Sequence, residues 1–176
     1  MADIKLVLLL KEILAEIGDL NNIQPYSYNK LSETDEEIRY KFIDIDDNIA
    51  TVKFQTFKSI EYSQESLPSI LEDKLSYNVS FDIEDELLQY KKINLDKLNR
   101  IFKTIHDIII EFLNEYSPDF LFIKGTSDYE LFSPEFTQKD KIYYNMIVQN
   151  LPSEYGVSIG KILGLNGIQL RKKSAF

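Results

Sequence analysis

Cysteine is absent from the 176 residues, which excludes disulfides, thiolate nucleophiles, iron–sulfur clusters and cysteine-based zinc sites. Tryptophan is absent as well. A single histidine, His106, leaves no histidine pair for a metal and no multi-histidine relay. Glycine (6) and proline (5) are too scarce for a collagen-like or low-complexity chain. Long apolar runs are missing too. Leu6-Val7-Leu8-Leu9-Leu10 stops at Lys11-Glu12, short of a signal-peptide core of roughly seven to fifteen residues or a span of about twenty. The expectation is a soluble chain with no secretory signal and no membrane partner.

Positive charge is the minority. Twenty Lys and Arg face 29 Asp and Glu, a formal charge of −9, whereas binding to phosphate backbones or anionic lipid is driven by clustered Lys and Arg. Direct contact with nucleic acid is therefore not expected. What the chain does have is 44% hydrophobic residues, enough for a core. Its length suits one domain that buries roughly two-thirds of its unfolded surface.

Periodicity sets out the elements. Ile4, Val7, Leu8, Leu10, Ile13, Leu14 and Ile17 recur at helical spacing, giving a helix over 3–17 that stops at Gly18. Leu6 and Leu9 widen its apolar face, either toward the rest of the fold or toward another chain. Asn21, Asn22, Pro25, Ser27 and Asn29 read as loop, with Pro25-Tyr26 as an extended anchor. Ile38, Tyr40 and Phe42, then Ala50, Val52, Phe54 and Thr56, alternate on either side of Asp46-Asp47-Asn48, which predicts a hairpin over 37–57. Tyr77, Val79, Phe81 and Ile83 predict a strand over 77–84 with a polar opposite face. Asn94 and Asp96 open a long helix over 94–116, striped by Leu95, Leu98, Phe102, Ile105, Ile109, Phe112 and Leu113. Phe120-Leu121-Phe122-Ile123 predicts a central strand over 119–124, and Ile142, Tyr143, Met146 and Ile147 a helix over 138–150. One or two short strands around Val157–Ile159 and Ile168–Leu170 then lead to a basic tail over 171–176. The fold class is α+β: one domain, a mainly antiparallel sheet, and two or three helices on one of its faces.

Taken in order, several segments resemble a family of small tailed-bacteriophage proteins without an established activity. They are Leu10-Lys11-Glu12-Ile13-Leu14-Ala15-Glu16-Ile17-Gly18, Pro25-Tyr26, Arg100-Ile101-Phe102-Lys103-Thr104-Ile105, Ile110-Glu111-Phe112-Leu113, Pro118-Asp119, and Tyr143-Tyr144 through Leu151-Pro152. The similarity spans about residues 8 to 155. In Lys139-Asp140-Lys141-Ile142-Tyr143-Tyr144 a lysine stands where that family often carries an arginine. The resemblance implies provenance in a virus of bacteria and brings no catalytic residue with it.

Residues with chemical potential each have a plainer reading. His106 beside Asp107 could serve acid–base work, but lies at the edge of a helical apolar stripe where imidazole packs. Asp44, Asp46 and Asn48 have the alternating oxygens of a calcium loop, yet Ile49 replaces the glycine and no closing glutamate follows; a solvated hairpin tip is the plainer account. Asp82, Glu84 and Asp85 near Lys91 and Lys92 could form a hydrolytic acid cluster, or simply the polar face of a strand. Gly156, Gly160, Gly164 and Gly167 with Lys161 lack the spacing of a phosphate-binding loop. Aromatic–basic alternation as in Tyr40-Lys41-Phe42 suits base stacking locally, but core packing accounts for it.

From Lys161 onward there are four basic residues and no acid, opposite in sign to the hairpin, and such a dipolar chain can associate head to tail. The expected function is thus a non-enzymatic phage protein acting through protein–protein contacts, a virion-associated structural or assembly component. Its contact residues would be Leu6 and Leu9, the acidic tip Asp44, Asp46 and Asp47, and the basic Arg171, Lys172 and Lys173. Partners would be other virion proteins or a second copy, with no cofactor. The location would be the host cytoplasm during infection and the virion. Alternatives are a small acidic inhibitor of a host or defence protein, which mimics nucleic acid, and a metal-dependent phosphoesterase.

Overall fold

Alternation becomes strand wherever one face can be buried, and in this computed structural model it does so repeatedly. Residues 20–59, 68–83, 95–123, 138–162 and 164–176 are described. The expected N-terminal helix, with Leu6 and Leu9, lies outside them, as do Glu84, Asp85, Lys91 and Lys92. In chain order the elements are β1 (Tyr28–Glu33), β2 (Glu37–Ile43), β3 (Ile49–Thr56), β4 (Ser76–Ile83), α1 (Leu95–Tyr116), β5 (Phe120–Ile123), α2 (Gln138–Ile147), β6 (Tyr155–Ile162) and β7 (Leu165–Lys172). The strands form one mixed sheet in the order β1-β2-β3-β4-β5-β7-β6.

The first four strands run as an antiparallel meander. After β4 the chain climbs through α1 and returns as β5, so β4 and β5 pair in parallel, with Val79 beside Ile123. A parallel pair requires such a long crossover, and α1 supplies it. After α2 the chain reaches the far edge as β6, then doubles back so that β7 inserts antiparallel between β5 and β6.

β1 begins where the sequence predicts a loop, and β6 and β7 have eight residues each where it predicts one or two short strands. Two glycines of that last hairpin are structural. Gly164 turns it with a φ of 78°. A Cβ on Gly167 would sit 2.6 Å from Phe122 Cζ and 2.8 Å from the Ile123 carbonyl oxygen, so only glycine fits there.

The core lies on one face. Ile38, Tyr40, Phe42, Val52, Phe54, Tyr77 and Val79 are buried from the meander, beneath Ile101, Ile105, Ile108, Ile109, Phe112 and Leu113 of α1. Phe112 stacks on Phe54 at 3.7 Å between ring centres, meets Tyr77 edge-on at 5.1 Å, and stacks with Tyr116 at 4.8 Å. Met146 and Ile147 of α2 join the same cluster as Ile168 and Leu170. Both described helices therefore cover the same face. The expected anchor at Pro25-Tyr26 docks on α1, where the Tyr26 amide donates to Thr104 Oγ1 at 2.8 Å and the Arg100 guanidinium lies 4.1 Å from the Tyr26 ring centre.

The opposite face divides in two. Over the meander it is polar, with Arg39, Lys41, Lys53, Ser80 and Asp82. Over β5 it is apolar, because a four-residue strand buried on both sides needs cover on both. Phe120 and Phe122 pack there with Phe57, Leu71 and Ile162.

Candidate functional site

The acidic hairpin tip is tied down. Asp44 ends β2 and is buried (5% exposed), with Oδ1 accepting from the amides of Asp46 (2.8 Å) and Asn48 (3.0 Å) and both carboxylate oxygens accepting from Asn48 Nδ2. Asp47 takes a φ of 64°, a conformation that aspartate tolerates better than most residues. From the first turn of α1, Lys97 places its ammonium 3.0 Å from Asp44 Oδ2 and 2.7 Å from Asp46 Oδ2. A lysine there opposes the helix dipole, and the two carboxylates offset that. The calcium-like spacing of Asp44 and Asp46 thus receives an ammonium from its own chain. Of the expected acidic tip, Asp44 is buried, whereas Asp46 and Asp47 are exposed.

His106 makes a second tie. It is 1% exposed, its Nε2–H donates to the Gln149 carbonyl at 2.7 Å, and Nδ1 lies 3.1 Å from Asp107 Oδ1. Lys103 Nζ also donates to that oxygen, at 2.6 Å. The imidazole joins the middle of α1 to the turn that ends α2, which is a structural use of the ring.

Both tethers make stability depend on acid in one direction. Burial pushes the Asp44 carboxyl up, but bonds from Lys97, Asn48 and two backbone amides outweigh it and hold it below the usual carboxylate range. Burial likewise raises Asp107, and His106 and Lys103 bring it down. A folded-state value below the unfolded one, about 4, stabilises the fold above that pH and is lost as pH falls through the folded value. The melting temperature is expected to hold between about pH 7 and 5 and to drop below about pH 4. In Asp44→Asn that drop should be smaller, and an equal drop in the variant would contradict the assignment.

The basic residues near the C-terminus do not form a tail. Arg171 and Lys172 belong to β7 and Lys173 begins a 3-10 turn. Arg171 Nη2 donates to Gln169 Oε1 at 2.8 Å, and the guanidinium lies 5.8 Å from the Phe120 ring centre and 5.2 Å from that of Phe176. Lys172 Nζ donates to Ser117 Oγ and Lys173 Nζ to the Ser153 carbonyl, each at 2.7 Å. All three are thus engaged within their own chain, and Lys173 is still exposed.

Three of the open surfaces among the described residues bear on partners. One is a shallow acidic depression along α1, lined by Tyr28, Asp107, Ile110, Glu111 and Glu115. The Tyr28 hydroxyl donates to Glu111 at 2.7 Å, and Lys30 bonds Glu115 at 2.7 Å, so part of its charge is internally matched. The other two are the sheet edges, β1 and β6. Exposed Ile159 on β6 was visible in the sequence as a strand residue, but nothing there marked its strand as an edge. No helix among the described residues is long and apolar enough to cross a membrane. No protein-family model, curated protein or solved structure matches this chain.

Proposed function

We propose that this chain is a non-enzymatic tailed-phage protein that acts through protein–protein contacts, as a virion-associated structural or assembly component. The reading rests on the ordered segments that resemble the phage family. One structural observation supports it most: among the described residues, Asp44 and His106 are used to join elements. Asp44 and Lys97 tie the hairpin tip to α1, His106 ties α1 to α2, and the glycines shape the β6–β7 hairpin. Among the described residues, what remains for a partner is surface, chiefly the sheet edge at β6. On this reading the chain is made in the host cytoplasm and enters the particle. Counting its copies in purified particles tests the proposal.

The second reading is a small acidic inhibitor of a host or defence protein, supported by the −9 charge and the acidic depression on α1. It predicts salt-sensitive capture by a basic host protein and no place in the particle.

A further inference from the structure

The two edges of the sheet are built differently. β1 carries the devices that keep an edge from pairing with another chain. Its register with β2 shifts between Lys30 and Ser32, which leaves Leu31 out of the ladder and 54% exposed. Lys30 points inward, bonding Glu33 (3.1 Å), Glu115 (2.7 Å) and the Tyr116 hydroxyl (2.6 Å).

β6 lacks the register shift and the inward charge, and its one edge lysine, Lys161, sits near the end of the strand. All eight of its residues hold unbroken register with β7. It contains no proline, and Lys161 is its one charged residue. Ile159 is 49% exposed on the helix-covered face, beside fully buried Ile168.

The direction of its free hydrogen-bonding groups follows from the ladder. The Lys173 amide donates to the Glu154 carbonyl at 2.8 Å and the Lys172 amide to the Asp119 carbonyl at 2.9 Å, so odd-numbered residues of β7 face β6. Their partners Gly156, Ser158 and Gly160 face inward, and Val157, Ile159 and Lys161 turn their amides and carbonyls outward. No described backbone or side-chain group takes those bonds.

We propose that β6 pairs antiparallel with β6 of a second copy, joining two seven-stranded sheets across a two-fold axis at Ser158. The inference rests on the reading of this chain as one that works through protein contacts, and names the partner. A second copy fits because the strand is its own complement. In this register Val157 lies opposite the partner's Ile159 in two symmetric apolar pairs, Lys161 lies opposite the partner's Tyr155, and helices of both copies fall on the same side. Charge agrees: for two molecules of −9 each, this edge offers a contact with no charge from Tyr155 to Gly160. The contact is small beside the ~1,600 Å² of a standard interface, so the dimer is weak, in the micromolar range.

Sedimentation equilibrium from about 1 to 200 µM tests it. The unaltered protein should move from monomer to dimer. Ile159→Lys should raise the dissociation constant about tenfold or more, with an unchanged circular dichroism spectrum and melting temperature. Leu31→Lys, on the protected edge, should dimerise like the unaltered chain. If Ile159→Lys does not fold, amide exchange on the unaltered protein decides, since the amides of Val157, Ile159 and Lys161 should slow as concentration rises. A monomer at every concentration, a dimer undisturbed by a folded Ile159→Lys, or exchange that ignores concentration would each overturn the pairing. Absence from phage particles would remove the proposed function and leave a measured dimer standing, so the two failures are distinguishable.

Discussion

Replacing Phe112 by alanine is expected to lower the unfolding free energy by about 4 kcal/mol, the middle of the range for a buried aromatic. The ring is fully buried and touches both layers, with Phe54 and Tyr77 from the sheet and Tyr116 from its own helix. Truncation removes apolar burial and leaves a cavity that β3 and β4, fixed by their ladders, cannot close. It also removes aromatic contacts worth about 0.5–1.5 kcal/mol each beyond area. For a chain of this length the melting temperature should fall by roughly 12 °C. Asn114→Ala, at an exposed position of the same helix, should stay within about 0.5 kcal/mol. A loss below about 1 kcal/mol at Phe112 in urea unfolding would mean that α1 does not pack on the hairpin as described.

The second large effect is expected at Lys97. In Lys97→Met the stem is roughly conserved while the ammonium is lost, so Asp44 remains buried as a carboxylate without its counter-charge. Breaking a buried pair from one side costs about 3 kcal/mol. The bonds from Asn48 and the Asp46 amide remain to limit the loss. Adding Asp44→Asn removes the stranded charge, so the double variant should recover a good part of the loss. Double-mutant additivity, measured by chemical denaturation, would contradict a direct pair between the two groups.

These two residues show what was legible and what was not. Phe112 stood in the sequence as part of a helical stripe, because spacing alone says which face of a helix is apolar. The strands of the meander were legible for the same reason, each being wet on one face. Lys97 was not. Its partner Asp46 is 51 residues away, and composition around 33–47 suggests only a solvated acidic surface. His106 was placed at the edge of the stripe, but its bond to Gln149 spans 43 residues and needs the tertiary fold.

β1 was hidden for a different reason. As an edge strand it presents mainly Tyr28 and Lys30 inward and breaks register at Leu31, so it shows neither apolar alternation nor strand composition. The final hairpin was underestimated because glycine reads as a strand breaker. At Gly167 the residue is there because Phe122 and the Ile123 carbonyl occupy the space of a side chain. The parallel β4–β5 pair and the insertion of β7 between β5 and β6 are properties of connection, which periodicity does not carry.

The edge of β6 and the ties at Lys97 and His106 together describe a chain whose reactive groups hold the fold and whose open strand is left for a partner. If the chain is the phage protein proposed above, quantitative mass spectrometry of purified particles tests that account most directly. A small fixed number of copies per particle, an even number if β6 pairs as proposed, is the predicted result. Abundance in infected cells with absence from the particle would contradict it.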